Sequence, residues 1–224
     1  MSGKFIVIDG TDGSGKTTQT EILINKLKEH GHQVEMVDFP QYNTKSAGPV
    51  EEYLSGKYGE ADQVDPKIAS MFYAVDRYDL SFKIRNWLKQ NKIVIANRYV
   101  ASSMGHQGSK FNTSQERKSY WQWLMDIEYN LFKIPCPDIN IILHVPSKIS
   151  QQLSKNRARE DWKGKTKDIH EDNLEHLQAA EKSYLELTKT YPANYQLIEC
   201  TEKGQIMSRE KITELIWQKV NQVI

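Results

Sequence analysis

Two cysteines, Cys136 and Cys200, are all that this 224-residue chain contains, and neither has partners at metal-ligand spacing. That scarcity excludes a disulfide scaffold and a cysteine zinc site, and both thiols are expected to lie buried in a reducing cytosol. Charge of one sign is also missing. The 30 Lys and Arg against 29 Asp and Glu leave a net charge of +1, so nothing draws the whole surface to nucleic acid or lipid, and any electrostatic function must be local. No apolar stretch approaches the length of a membrane span, and the N-terminus lacks the apolar core of a signal peptide. The expectation is a cytoplasmic protein with neither membrane nor nucleic acid as partner. There is no repeat, low-complexity tract or proline-rich linker. With 38% hydrophobic and 26% charged residues, the chain is globular and long enough for one large domain spanning 1–224.

Five short apolar runs are present, at 4–8, 33–38, 92–96, 139–145 and 195–199. They are rich in Val and Ile and mostly unbroken, as in strands buried on both faces. Helical patterns separate them. One follows Gly15 and stops at Gly31. A second covers about 66–90, with Ile68, Phe72, Val75 and Phe82 at helical spacing. A third, 114–133, carries Tyr120, Leu124, Ile127 and Leu131, with Trp121, Met125 and Phe132 on a second apolar side. Two more lie near 170–190 and 208–222, the last led by Ser208. Alternating strands and helices predict an α/β fold with a central five-stranded parallel sheet flanked by helices, in three layers. In such sheets ligands bind beyond the C-terminal ends of the strands.

Just after the first run stands Gly10-Thr11-Asp12-Gly13-Ser14-Gly15-Lys16-Thr17-Thr18, the G-x-x-x-x-G-K-[ST] pattern between a strand and a helix. Glycines let backbone N–H groups close around a phosphate, and the helix N-terminus adds partial positive charge. Lys16 reaches the outer phosphates of a nucleoside triphosphate, and the Thr17 hydroxyl ligates Mg²⁺. The fold is therefore expected to be that of a P-loop NTPase.

Other strand ends carry weaker signals. Asp38-Phe39-Pro40-Gln41-Tyr42 follows the second run, Asn97-Arg98-Tyr99-Val100-Ala101-Ser102-Ser103 and His106-Gln107-Gly108 follow the third, and Tyr73 and Arg77 lie one turn apart in the second helix. Arg98, just beyond a buried strand, can grip an anion in bidentate fashion; Arg77 offers a second fork, and Tyr73 a flat ring for a base. The segment 155–168 holds six Lys or Arg against three acids, which suits a mobile basic lid, a solvated loop or a nucleic-acid patch.

In order and spacing these pieces resemble the thymidylate kinase family of P-loop nucleoside-monophosphate kinases, over most of the chain. The resemblance implies phosphoryl transfer from ATP to dTMP with Mg²⁺, by a homodimer. It implies ATP held by residues 10–18, and catalytic roles for Lys16, Arg98, Asp12 and the lid arginines Arg157 and Arg159. For dTMP it implies Asp12, Phe39, Pro40, Tyr73, Arg77, Arg98, Ser103, His106, Gln107 and His170, with Asp168 and Glu171 in the closing segment; for the metal it implies Thr17 and Asp12. Gly13 follows Asp12 where some members carry an arginine, so the chain resembles the members that keep their catalytic arginines in the lid. Three departures stand out: Asn97 where an aspartate usually precedes Arg98, no arginine directly after Phe39-Pro40, and Ser103 and His106 where Asn and Tyr or another aromatic residue are often seen. A kinase for another nucleotide or deoxynucleoside, or a P-loop switch with no small acceptor, are the competing readings.

Overall fold

The computed structural model describes residues 3–60, 62–153 and 174–224. Strands β1 (Lys4–Gly10), β2 (Val34–Asp38), β3 (Ile93–Asn97), β4 (Ile139–His144) and β5 (Tyr195–Glu199) form one parallel sheet in the order β2-β3-β1-β4-β5. Each coincides with a predicted apolar run to within two residues. The central strands β1, β3 and β4 are almost wholly buried, but β2 and β5 are only partly so, because they are the edges of the sheet. The 33–38 run is thus not covered on both faces as its composition suggested.

Alternation along β1 builds the three layers. Phe5 and Val7 point to one face and Ile6 and Ile8 to the other, all four without solvent exposure. On the Ile6/Ile8 side pack α1 (Lys16–Glu29) and a C-terminal helix, Arg209–Val220, through Leu23, Leu27, Ile212 and Ile216. The Phe5/Val7 side carries α3 (Pro66–Lys89), α4 (Val100–His106), α5 (Ser114–Met125) and α7 (Leu174–Thr190). A short α2 (Gly48–Leu54), a helical stretch at 147–153 (α6) and a hairpin of Thr201–Glu202 with Gln205–Ile206 complete the described elements; the C-terminal helix is α8.

Caps fix where the helices begin. Asp65 accepts from the amides of Lys67 and Ile68, with Pro66 at the first helical position. Thr113 and Glu116 form a capping box, and Ser208 accepts from Lys211.

Two helical patterns are used differently from expectation. Ile68, Val75 and Phe82 of α3 face solvent at 54, 44 and 59% exposure, and the buried face consists of Ala69, Ser70, Ala74, Asp76, Arg77, Ser81 and Ile84. In 114–133 the stripe holds through Tyr120 and Leu124, then the helix widens into a π-helix, Asp126–Leu131. The amide of Phe132 bonds the carbonyl of Ile127, five residues back. This change of pitch turns Glu128 inward and leaves Leu131 exposed at 66%. Trp121 is wholly buried within the chain's own core. Of the cysteines, Cys200 is buried as expected but Cys136 is exposed.

Candidate active site

The loop from β1 to α1 enters the helix through Gly15, whose φ of 86° lies in the left-handed region open to glycine. No side chain caps α1, and no acidic residue stands in its first turn. Its leading amides and the dipole of 14 residues are therefore available to an anion. Lys16 lies back over the loop. Its Nζ donates to the carbonyls of Gly10 (3.1 Å) and Thr11 (2.8 Å) and is 3.9 Å from the Asp12 carboxylate. The loop amide of Ser14 closes onto Thr11 O at 3.2 Å. Thr17 and Thr18 follow in the first turn, half-buried.

At position 13 a Cβ would run into the backbone of Ser150 in α6, so no side chain fits there without moving that helix.

Asp9 fixes the base of the site. Its Oδ1 accepts from Gly10 N, Ser102 Oγ and Tyr184 OH at 2.7–2.8 Å, and its Oδ2 from Tyr99 N at 3.2 Å, tying β1 to α4 and α7. All its bonding capacity is turned inward.

Beside the loop opens a cavity of about 270 Å³. Asp12 belongs to both, which makes this end of the cavity the junction between them. Arg98 donates to Asp12 in a close ion pair, with Ser102 Oγ at 3.4 Å and His106 Nε2 at 3.5 Å from its Nη1. Burial pushes the Asp12 carboxyl up, but Arg98, Lys16 and His106 together hold it well below the usual carboxylate range. Arg98 has a φ of 68°, strained for a residue with a side chain, and its amide donates to Ile8 O. The His106 ring stacks on His176 of α7, with Nδ1 3.3 Å from its Nε2.

Farther in, Arg77 is held by Glu128. Its Nε donates to both carboxylate oxygens (2.9 and 3.0 Å), and Nη2 donates to Glu128 and to Ser103 Oγ (3.1 Å). Nη1 donates to Tyr99 O at 3.3 Å, which uses four of the five N–H groups and leaves one for a ligand. Glu128 keeps Arg77 charged against the effect of burial. Phe39, Pro40, Tyr42, Leu54 and Tyr73 form apolar walls, the Phe39–Pro40 bond being cis, and Tyr73 meets Tyr53 edge-on. Gln107 is buried, its Nε2 donating to Tyr53 OH at 3.3 Å, and its Oε1 has no hydrogen-bond partner among the described residues.

Of the residues expected at an acceptor site, Asp12, Phe39, Pro40, Tyr73, Arg77, Arg98, Ser103, His106 and Gln107 all line this one cavity. Arg157, Arg159, Asp168, His170 and Glu171 lie outside the described residues. The sequence reading missed Tyr42, Leu54, Tyr99 and Ser102 as lining residues, and Glu128 and His176 as partners of Arg77 and His106. Ser102, one turn after Arg98, had a spacing signal, and Glu128 was a lone acid inside an apolar stripe.

A parallel sheet with a glycine-rich phosphate loop feeding a helix, and beside it an arginine-lined cavity sharing one aspartate with that loop, defines a P-loop nucleotide-binding protein. A family model described as thymidylate kinase matches residues 8–211. A thymidylate kinase of Mycobacterium tuberculosis is 30% identical over 184 residues, spanning 82% of this chain and 85% of its own. A probable thymidylate kinase of Pyrococcus abyssi is 32% identical over 160 residues, 70% of this chain and 73% of its own. A solved thymidylate kinase from Candida albicans shares the fold, with a TM-score of 0.71 at 21% identity over 99% of this chain and 92% of that one. The chain belongs to the thymidylate kinase family.

Proposed function

We propose that this enzyme transfers the γ-phosphoryl group of ATP to the phosphate of dTMP, giving dTDP and ADP. A phosphate oxygen of the acceptor attacks the γ-phosphorus as the bond to the ADP oxygen breaks. The observation that carries this reading is the family match together with Asp12, which is shared by the phosphate loop and the neighbouring cavity. The loop 10–18 and the open N-terminus of α1 suit the triphosphate, and Lys16 suits its outer phosphates once it leaves the carbonyls it now bonds. Arg98 suits the acceptor phosphate. Arg77, immobilised by Glu128 and with one N–H remaining, suits a base carbonyl, and Tyr73 a stacked ring.

Position 13 admits no side chain while α6 stays where it is, which supports a source other than the phosphate loop for the arginine charge on the transferring group. We assign it to Arg157 and Arg159 of the basic segment 155–168, read as a lid on an otherwise single domain.

Mg²⁺ bound with the nucleotide would neutralise the β- and γ-phosphates. The Thr17 hydroxyl fits such an ion. The Asp12 carboxylate is taken by Arg98 and Lys16, while Asn97 Oδ1 is buried with no partner among the described residues.

We also assign a homodimer, supported by the exposed apolar line on α3. The cytoplasm is the assigned compartment, supported by two unpaired thiols, one of them exposed. ADP release measured across dTMP, dUMP, dCMP, dGMP and thymidine tests the reaction. Turnover is expected to favour dTMP; equal turnover on a purine monophosphate, or none on dTMP, overturns the assignment.

A further inference from the structure

The last turn of α4 meets the first turn of α7 at two histidines. The rings of His106 and His176 stack at 5.5 Å with 22° between their planes, and Tyr184 closes edge-on to His106 at 5.8 Å. Tyr184 is itself pinned by its bond to Asp9 (2.7 Å), and the bare Gly105 makes room for its ring, since a Cβ there would stand 2.3 Å from it. His106 therefore has ring neighbours in two directions. Its Nε2 lies 3.5 Å from Arg98 Nη1, and its Nδ1 lies 3.3 Å from His176 Nε2. The flipped ring would set carbons against both partners.

These contacts decide where the hydrogens lie. A guanidinium carries only donors, so His106 Nε2 faces Arg98 with its lone pair. In the neutral imidazole the hydrogen is then on Nδ1, which donates to His176 Nε2. Burial lowers the His176 pKa below its ordinary value, which keeps that ring neutral and its Nε2 an acceptor. The other tautomer of His106 would aim an N–H at the Arg98 cation.

Arg98 gains a defined setting from this pair. Asp12 takes Nη2, while Ser102 and His106 lie at Nη1, so Nε and the second hydrogen of Nη2 remain for a ligand. Those donors are aimed only as well as the three partners hold the guanidinium. Of the three, His106 is the one whose capacity to accept depends on a further residue.

We propose that His176 is a positioning residue of the acceptor site: by accepting from Nδ1 it holds His106 in the tautomer whose Nε2 lone pair orients Arg98 for the acceptor phosphate. The inference rests on the reading of Arg98 as the ligand of that phosphate. Without His176 as acceptor, either nitrogen of His106 can carry the hydrogen, and the guanidinium loses one of its fixed partners.

The test uses the full chain labelled with ¹⁵N in histidine, with dTMP and thymidine as ligands that differ only by the phosphate. Long-range ¹H–¹⁵N spectra at pH 8, assigned against His106→Asn, should show native His106 with its hydrogen on Nδ1. His176→Phe keeps a ring in the stack but offers no acceptor, and should move the His106 hydrogen towards Nε2. Its dTMP affinity by calorimetry is expected to fall about 3- to 10-fold, the worth of one hydrogen bond. Thymidine affinity and the KM for ATP should change by less than about 2-fold. His176→Gln, whose amide oxygen can accept from Nδ1, should recover most of the dTMP affinity. Thermal unfolding checks each fold, and His176→Leu takes the place of His176→Phe if that variant misfolds. Native His106 with its hydrogen on Nε2, unchanged dTMP affinity in His176→Phe, an equal loss on thymidine, or no recovery in His176→Gln overturns the inference while the acceptor reading stands. If the native chain binds dTMP no better than thymidine, the reading of Arg98 fails first and the inference falls with it.

Discussion

Arg98 and Asp12 are joined in an ion pair that bridges the phosphate loop and the neighbouring cavity. Without an acceptor, the arginine best placed to hold an incoming phosphate is occupied by an internal carboxylate. The same pair keeps Asp12 ionised despite its burial. On the proposed assignment of Arg98, an acceptor phosphate would share or replace an existing charge-assisted bond, at a guanidinium already oriented by Ser102 and His106.

Removing that guanidinium separates acceptor binding from donor binding. For Arg98→Ala the KM for dTMP is expected to rise on the order of 10- to 100-fold, the loss of one or two charge-assisted bonds. The KM for ATP should change by less than about 2-fold. Arg98→Lys should not restore the acceptor KM, because an ammonium cannot reproduce the fork shared with Asp12, Ser102 and His106. Steady-state kinetics with each substrate varied in turn checks this. An unchanged acceptor KM would reduce Arg98 to a partner of Asp12.

Glu128 and Arg77 form the second buried pair, and here the two residues are at most 1% exposed. Glu128→Ala strands a guanidinium in the core and is expected to cost about 3–5 kcal/mol of stability. Glu128→Gln keeps the shape and one acceptor and should cost less. The double variant Arg77→Met, Glu128→Leu should recover much of the stability lost in Glu128→Ala but bind dTMP poorly, since it removes the Arg77 guanidinium from the cavity lining. Chemical denaturation combined with dTMP titration separates the two effects. Equal dTMP affinity in the stable double variant would assign the pair to folding alone.

The sheet was legible because central parallel strands are buried on both faces, so β1, β3 and β4 appear as mostly unbroken apolar runs rich in Val and Ile. The grouping of candidate residues around the loop and cavity was legible because they sit at strand ends and keep local spacing: Lys16 after the loop, Arg98 after β3, Tyr73 one turn before Arg77. What depends on a partner distant in the chain was not. Nothing local says that Ala69, Ala74 and Ile84 of α3 face the core while Ile68, Val75 and Phe82 do not. The turn of Glu128 towards Arg77, 51 residues away, depends on a π-helix that no periodicity of 3.6 anticipates. Similarly, edge position alone decides that β2 is half-exposed and that Asp38 is left at the surface.

His144 closes β4 between two carboxylates, with Nδ1 2.6 Å from Glu199 and Nε2 2.9 Å from Glu181. Glu181 also accepts from the Ser147 amide at the start of α6 (2.9 Å). Burial lowers the His144 pKa, but the bonds to Glu181 and Glu199 outweigh it and raise the value above its ordinary 6.5. Burial raises Glu181, and His144 and Ser147 together bring it below its ordinary 4.5. The histidine's contribution is therefore fully present below pH 6.5 and is lost as pH rises through its folded value; that of Glu181 is present above 4.5 and lost as pH falls through its own. Between those limits the cluster stabilises most. Measured from pH 5 to 9, the Tm of the native chain should fall relative to His144→Gln as pH increases. Parallel curves would show that His144 is not charged in the fold.

Ile68, Val75 and Phe82 are spaced seven residues apart, two helical turns each, and so form one line along the outside of α3. Tyr78 widens it, its ring packing edge-on to Phe82 at 5.3 Å and tilted against Phe132 at 5.2 Å. Leu131 lies exposed beside Phe132 in sequence. A run of large apolar side chains on one helix face is unfavourable in water unless a second surface covers it, and a two-fold pairing lets the same face cover itself. Light scattering should give twice the chain mass for the native protein and the single mass for Val75→Glu with Phe82→Glu. Because both side chains are already exposed within the chain, the double variant should keep its fold by circular dichroism. Its Tm should become independent of protein concentration, while the native Tm rises with concentration as dissociation is suppressed. A native chain of single mass, or a double variant of unchanged double mass, would exclude α3 as the pairing face.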